Sequence, residues 1–166
     1  MPDNLIYSND TTLNHPIARS YPVSVISFND AVCKENSNKS CTLFDATWRV
    51  IDLDAVELQR AQRQGRDRTS TCDNAVGVLI NANPRMLLIE YKLNIRNTCD
   101  SVSQQELDSK VAGSIALLSQ EPSVYKTSYI VFTDKIVNQA YNKLRRFKGN
   151  RREYIAVTIQ KLKELL

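Results

Sequence analysis

Three charged residues lie at the ends of two neighbouring apolar segments. Asp73 precedes the apolar run 75–80, and Glu90 and Lys92 lie near the end of the second run, 85–93. Side chains two positions apart in a strand point to the same face, so Glu90 and Lys92 are expected side by side. Two carboxylates brought together repel each other, and a divalent cation with oxygen ligands relieves that repulsion. A neighbouring lysine can orient a water or stabilise negative charge on a phosphate.

The two apolar segments predict a β-hairpin, because the residues between them, 81–84, are of types common in turns. Both strands are apolar on both faces, which is typical of central strands covered by helices. A turn centred on the Ala82–Asn83 bond places Asp73 opposite Lys92 and diagonal to Glu90, whereas a shift by one residue places it opposite Glu90. Either register places the carboxylates of Asp73 and Glu90 close to Lys92.

Helices are predicted on both sides of this hairpin. Residues 54–63 are rich in straight-chain helix formers, and Gly65 ends that helix. Ser103 and Glu106 have the spacing of a capping box. The helix they open continues as an apolar stripe of Leu107, Val111, Ile115 and Leu118. Gly113 lies inside it, where a glycine often permits close packing.

The remaining elements complete an α/β prediction, a mixed central β-sheet flanked by helices on both faces. The chain is interpreted as a single domain with an unassigned region 1–45, a motif-bearing core 47–133 and a basic segment 134–166. Strands are predicted at Trp48–Leu53, Ser128–Thr133 and Tyr154–Ile159, with an edge strand or extended arm at Tyr21–Phe28. Further helices are predicted at Ile136–Phe147 and Gln160–Leu166.

Composition excludes several classes of protein. With 166 residues, 42% hydrophobic and 24% charged, the chain can bury a sizeable core, which argues against disorder and fibrous repeats. Its apolar runs are far shorter than the roughly 20 residues that cross a bilayer, so no membrane association is expected. The first ten residues lack the basic and apolar regions of a secretion signal, so a cytoplasmic location is expected.

The cysteines and the single histidine offer little chemistry. None of the four cysteines forms a C-x-x-C pair, and reduced thiols are favoured over disulfides or a zinc site. His15 lies in a polar stretch and is predicted to be a solvated loop side chain. Enzymes that pair serine or cysteine with histidine are therefore disfavoured.

The net charge of +4 conceals a basic C-terminal segment. Residues 140–166 carry eight basic and two acidic side chains, a charge of +6, whereas the rest of the chain carries −2. Such a cluster is typical of a phosphate-binding face, although a solvated basic helix end has the same composition. The candidate nucleic-acid-binding residues in this segment are Lys143, Arg145, Arg146, Lys148, Arg151 and Arg152.

The hairpin and the helix after it resemble the PD-(D/E)XK, or restriction-endonuclease-like, nucleases. The resemblance lies in the stretch 71–78, the turn, the sequence Leu-Leu-Ile-Glu-Tyr-Lys at 87–92 and the helix from Ser103. The resemblance implies that Asp73 and Glu90 hold Mg²⁺, with Mn²⁺ as a substitute. It also implies the main-chain carbonyl of Tyr91 as a further ligand. Lys92 corresponds to the lysine of the motif.

The same resemblance suggests three additional site residues. Members of the family often contribute a glutamate from a helix before the hairpin, for which Glu57 is the match. Gln105 or Lys110, on the helix after the hairpin, could contact the substrate backbone. The chain departs from the family pattern at Cys72, where the motif has proline, and at Leu93, where a small residue is frequent.

Two functions follow as hypotheses. The first is a metal-dependent nuclease that hydrolyses phosphodiester bonds of DNA or RNA. Nucleases of this kind often pair as homodimers to cut two strands, and a symmetric dimer is the commonest assembly. The second is a non-enzymatic binding protein on the same scaffold, such as an immunity or antitoxin protein that caps a partner toxin. In the second case Glu90 and Lys92 form an ordinary ion pair, a contact worth about 0–1 kcal/mol.

Overall fold

The computed structural model describes residues 3–98, 102–147, 149 and 152–166, which form a mixed seven-stranded sheet with helices on both faces. The strands are Leu5–Tyr7 (β1), Val25–Ser27 (β2), Arg49–Asp52 (β3), Asn74–Ile80 (β4), Asn83–Lys92 (β5), Val124–Phe132 (β6) and Glu153–Val157 (β7). The helices are Asn9–Asn14 (α1), Pro16–Ser20 (α2), Phe28–Glu35 (α3), Leu53–Gln64 (α4), Gln104–Leu117 (α5), Val137–Leu144 (α6) and Ile159–Leu165 (α7). The predicted α/β class and mixed sheet are confirmed.

The sheet has the order β2-β3-β4-β5-β6-β7, and β1 pairs with the end of β4 that β3 leaves free. Strands β2 to β5 are antiparallel, whereas β5, β6 and β7 are parallel. Each parallel connection carries a helix, as crossovers between parallel strands usually do. Strands β4 and β5 therefore lie in the middle of the sheet, which agrees with their apolar sequences.

The predicted hairpin is present, and its turn decides the register. The turn consists of Asn81 and Ala82 alone, with φ angles of 49° and 67°. Two residues with positive φ form the turn type whose twist matches that of the flanking strands. Asn74 pairs with Ile89, so the next pair outward along the hairpin is Asp73 with Glu90. Of the two registers predicted, the structure has the one shifted by one residue, in which Asp73 lies opposite Glu90.

Three apolar clusters hold the layers together. Alternating side chains of β5 divide between the two faces, with Leu87, Ile89 and Tyr91 on one face and Met86 and Leu88 on the other. The first face packs against α3 and α7, and the second against α4 and α5. A third cluster joins α5 and α6 to the β6 and β7 part of the second face. Asp73 and Glu90 lie on that second face, where its apolar surface ends.

The N-terminal region differs from expectation at two places. Only Val25–Ser27 of the predicted strand Tyr21–Phe28 is extended, because Pro22 opens a short 3-10 turn and Ser27 caps α3. His15 was predicted to be solvated, which is wrong. It lies fully buried between α1 and α2, and its Nδ1 accepts a hydrogen bond from the backbone N–H of Ile17. Burial lowers the pKa of His15, which favours the neutral ring.

Two expectations about the whole chain can be compared with the described residues. None of their helices has the length and apolar character to cross a membrane. Cys33, Cys41 and Cys72 are free thiols, and Cys99 lies outside the described residues. Cys72 is buried, and burial raises the pKa of its thiol to about 12, so it is a packing residue and not a nucleophile.

Candidate active site

Asp73 and Glu90 meet at the open end of the β4–β5 hairpin. Both side chains are buried, Asp73 at 7% exposure and Glu90 at 1%. One oxygen of Asp73, Oδ2, accepts a hydrogen bond of 2.7 Å from the backbone N–H of Tyr91. This bond fixes the Asp73 carboxylate against the strand segment that carries Glu90 and Lys92, so the hairpin itself positions the candidate site.

Two lysines converge on one oxygen of Glu90. Lys110 of α5 donates to Glu90 Oε1 at 2.6 Å, and Lys92 lies 3.5 Å from the same atom. Lys92 also donates to Glu106 at 2.6 Å. Lys110 and Glu106 are four residues apart on α5, so they face the same way, towards the hairpin. The result is an alternating chain of charges: Lys110, Glu90, Lys92 and Glu106.

The other oxygen of Glu90, Oε2, is buried without a hydrogen-bond partner in the described part of the chain. Burial and the nearby Asp73 carboxylate raise the pKa of Glu90 to about 7. Burial likewise raises the pKa of Asp73. Burial opposes the charge of Lys110, but the Glu90 and Asp73 carboxylates outweigh it and raise the pKa of that lysine. Negative charge is thus crowded at this end of the hairpin and only partly neutralised.

Glu35 is a further carboxylate that the sequence reasoning missed. It is the last residue of α3 and is half-buried. Burial raises the pKa of Glu35 to about 7, and the negative charge of Asp73 is the next largest cause. Asn94, just after β5, donates to the backbone carbonyl of Glu35 and ties the end of α3 to the hairpin. Phe28, Ala31, Val32 and Glu35 have helical spacing after the capping Ser27, which was the signal available in the sequence.

Glu57, the predicted helix glutamate, is engaged elsewhere. Its carboxylate accepts from Arg66 at 2.6 Å and from the backbone N–H of Thr69 at 2.9 Å. The hydrogen bond from Arg66 lowers the pKa of Glu57, so its charge is stabilised within α4 and the following loop. In the described structure Glu57 ties that loop to the helix, and Glu35 is the helix glutamate whose pKa responds to the charge of Asp73.

The loop before Asp73 is held by α5. Ser114 accepts a hydrogen bond from the backbone N–H of Cys72 at 2.8 Å. Gly113 lies against the same loop, and a Cβ atom there would be 1.9 Å from the backbone oxygen of Ser70. The predicted close packing at Gly113 is therefore present. Helix α5 supplies Lys110 to Glu90 and at the same time positions the loop that carries Asp73.

The other predicted contact residues are spread around α5 and α6. Gln105 is exposed on the outer side of α5. Lys143 donates to the backbone carbonyl of Thr98, Arg152 donates to that of Tyr125, and Arg145 and Arg146 are exposed at the end of α6. Lys148 and Arg151 lie outside the described residues.

A divalent cation held by these residues would have few protein ligands. No three His, Cys, Asp or Glu side chains among the described residues are grouped so that they could hold a metal ion. Mg²⁺ is commonly held by only one or two carboxylates, with water and substrate phosphate completing its coordination. Glu90 Oε2, buried and unpartnered within the described part, is a hard oxygen donor of the required kind. Asp73 supplies the second carboxylate.

Comparison with known proteins adds no assignment, since no family model, curated protein or solved structure matches the chain.

Proposed function

We propose that this protein is a metal-dependent nuclease with a restriction-endonuclease-like, PD-(D/E)XK, core that hydrolyses phosphodiester bonds of DNA or RNA. The observation that carries the proposal is the buried pair of Asp73 and Glu90, held at the end of the hairpin with two lysines at Glu90 Oε1. Burying two carboxylates together costs free energy unless a cation or hydrogen bonds compensate their charge, and arrangements with such a cost cluster at functional sites. Holding a divalent cation is the task that their oxygen donors suit best.

Asp73, Glu90 and the carbonyl of Tyr91 are the proposed ligands of Mg²⁺, which Mn²⁺ can replace. When bound, the ion would polarise a phosphoryl oxygen and activate water as the nucleophile. Asp73 is already oriented by the Tyr91 N–H, and Glu90 Oε2 has no hydrogen-bond partner in the described part of the chain. The ion could therefore bind Oε2 while Lys110 keeps its contact with Oε1. The carboxylate of Glu35 interacts electrostatically with Asp73, so its negative charge would add to the attraction for the cation.

The two lysines have different accessibility and are assigned different roles. The Lys92 side chain is 13% exposed and held between Glu90 and Glu106, which suits orientation of a water beside the phosphate. The Lys110 side chain is 20% exposed and has one carboxylate partner. Lys110 is therefore the better placed to stabilise charge that develops on a non-bridging phosphate oxygen.

The direct test is incubation of the purified protein with Mg²⁺ or Mn²⁺ and a panel of single- and double-stranded DNA and RNA. Wild-type protein is expected to cleave one of these substrates, and Asp73→Asn, Glu90→Gln and Lys92→Ala are expected to abolish the cleavage. Lys161→Ala is the matched control, because Lys161 is an exposed lysine on α7. Cleavage that persists in both carboxylate variants would overturn the assignment.

A non-enzymatic binding protein on the same scaffold is the second candidate. The observation in its favour is the chain of ion pairs at the site, in which each of the two lysines already has a carboxylate partner. This candidate predicts no cleavage with either metal, and it predicts that Lys92→Ala leaves binding of a protein partner unchanged. The cleavage panel therefore separates the two functions.

A further inference from the structure

A recess of about 380 Å³ lies at the β7 edge of the sheet, beside the C-terminal end of α6. Apart from two aliphatic residues, its lining consists of three aromatic side chains, two arginines and a glutamate: Tyr141, Phe147, Tyr154, Arg145, Arg152 and Glu153. We call it the aromatic–arginine recess. None of these residues takes part in the candidate active site.

The aromatic groups of the recess are arranged to receive a flat ligand. Tyr141 is 48% exposed although it is a large aromatic residue, and the Arg145 guanidinium lies 5.6 Å from its ring centre. Phe147 and Tyr154 meet edge to face, with ring centres 6.3 Å apart. The Tyr154 hydroxyl donates to Asp108 of α5, which fixes the ring from behind. An open ring beside a fixed pair of rings offers a stacking surface.

The charge around the recess complements a phosphate backbone. Arg145 and Arg152 line it, and Arg146 is exposed next to Arg145. Glu153 is the only acidic residue among the described lining residues, and its carboxylate accepts a hydrogen bond from Thr127. Arginines interleaved with aromatic rings are the pattern by which proteins bind unpaired nucleotides, since every base has a face that can stack.

The recess lies on the same face of the sheet as the candidate active site. Tyr154 is in register with Ser128 of β6, which is in register with Leu88 of β5, two residues before Glu90. Sheet spacings put the Cα atoms of Tyr154 and Glu90 about 12 Å apart. Helix α5 lies between them, with Lys110 towards Glu90, Asp108 towards Tyr154 and Gln105 exposed. A strand a few nucleotides long can reach both places across α5.

We propose that the aromatic–arginine recess binds an unpaired base of the substrate, so that the nuclease acts on single-stranded nucleic acid or on single-stranded ends. This assignment of a substrate class rests on the proposed nuclease function, but binding of nucleic acid to the recess can be measured separately from cleavage. A base stacks on Tyr141 and on the Phe147–Tyr154 pair, and the neighbouring arginines contact the phosphates of that nucleotide. The nucleic-acid strand then continues over Gln105 to the carboxylates of Asp73 and Glu90. A closed duplex cannot present a base in this way without flipping it out of the stack.

The test is binding of fluorescently labelled oligonucleotides by anisotropy, in EDTA so that no cleavage occurs. Short single strands of DNA and RNA are compared with a blunt-ended hairpin of the same length. We expect single strands to bind more tightly, and we expect Tyr141→Ala to weaken their binding about tenfold, the loss of one stacked base. Tyr141→Phe keeps the ring and is expected to bind as the wild type does.

Tyr21→Ala is the matched control, because Tyr21 forms the other arginine–tyrosine pair of the described residues, with Arg63 at 5.1 Å. That pair lies near β2, at the opposite edge of the sheet. Wild-type affinity in Tyr141→Ala would overturn the proposal, as would tighter binding of the hairpin than of the single strands. Tyr141-dependent binding of single strands in EDTA, together with no cleavage in the panel with Mg²⁺ or Mn²⁺, would support the recess as a binding site and overturn the nuclease.

Discussion

At the scale of single residues, Asp73 has two different physical roles. Its charge adds to that of Glu90 and Glu35, which destabilises the metal-free fold. Its Oδ2 atom satisfies the buried N–H of Tyr91, which stabilises the fold. Asparagine removes the first role and can keep the second, whereas alanine removes both. The two substitutions therefore separate charge from hydrogen bonding.

We expect Asp73→Asn to unfold in urea at the same or a higher midpoint than the wild type, in metal-free buffer at pH 7. Asp73→Ala is expected to lose about 1–3 kcal/mol, because the Tyr91 N–H is left buried without an acceptor. Equal midpoints for the two variants would show that the hydrogen bond contributes nothing to stability.

Glu35 should make stability depend on pH in an unusual direction. The pKa of Glu35 is raised from 4.5 to about 7 by burial and by Asp73, so the folded state binds its proton more tightly than the unfolded state does. Stability from this residue is therefore complete below about pH 4.5 and is lost as the pH rises towards 7 and above. Glu90, with a pKa also raised to about 7, contributes in the same direction.

Glu35→Gln is expected to reduce that loss, since an amide has no charge to acquire. Thermal unfolding of both proteins between pH 5 and pH 8, without metal, measures the difference. The melting temperature of the variant should fall less than that of the wild type over this range. Asp30→Asn, at an exposed position of the same helix, is the control and is expected to follow the wild type.

At the scale of elements, local chemistry was enough to predict the hairpin, the end of α4 at Gly65 and the beginning of α5 at Ser103. Gly65 has the left-handed conformation of a helix terminus, and Ser103 accepts from the Glu106 N–H as a cap. The register could not be chosen in the same way. Ala82 is not a residue that ordinarily adopts positive φ, so nothing in the sequence pointed to the turn that it forms.

The partners of the site residues were harder to predict than the site residues themselves. Glu35 lies 38 positions before Asp73, and only the folded sheet brings α3 to the hairpin. The pairing of Lys110 with Glu90 depends on how α5 is rotated over the second face, which the apolar stripe indicates only approximately. The metal, the substrate and the reaction remain predictions.

The turn leads to a prediction about stability. Ala82→Gly is expected to stabilise the protein by about 0.5–1 kcal/mol, because glycine adopts positive φ without the steric cost of a Cβ atom. Chemical denaturation of the two proteins measures it. Asn81→Gly is the control and should gain less, since asparagine tolerates this conformation better than alanine. A loss of stability in Ala82→Gly would contradict the role given to the turn.

At the scale of the whole molecule, metal binding should stabilise the entire fold, because β4 and β5 are central in the sheet and the proposed ligands lie just before β4 and in β5. An ion present at a hundred times its dissociation constant adds about 2.7 kcal/mol. For a domain of this size that corresponds to a rise in melting temperature of roughly 5–10 °C.

We therefore expect Mg²⁺ or Mn²⁺ to raise the melting temperature of the wild type and to have much less effect on Asp73→Asn. Differential scanning fluorimetry across a metal titration measures both. Asp30→Asn should respond as the wild type does, because its carboxylate lies on the exposed side of α3. An equal rise in all three proteins would place the ion away from Asp73.

The close approach of Gly113 to the Ser70 backbone also restricts how this protein can evolve. Any side chain at position 113 would push α5 away from the loop that carries Asp73, and Lys110 would move with the helix. Selection on the chemistry of the site therefore acts on a residue with no chemistry of its own. In homologues that keep the site, Gly113 should be replaced as rarely as Asp73 and Glu90. Homologues in which Gly113 is replaced should be those in which the site has lost its function.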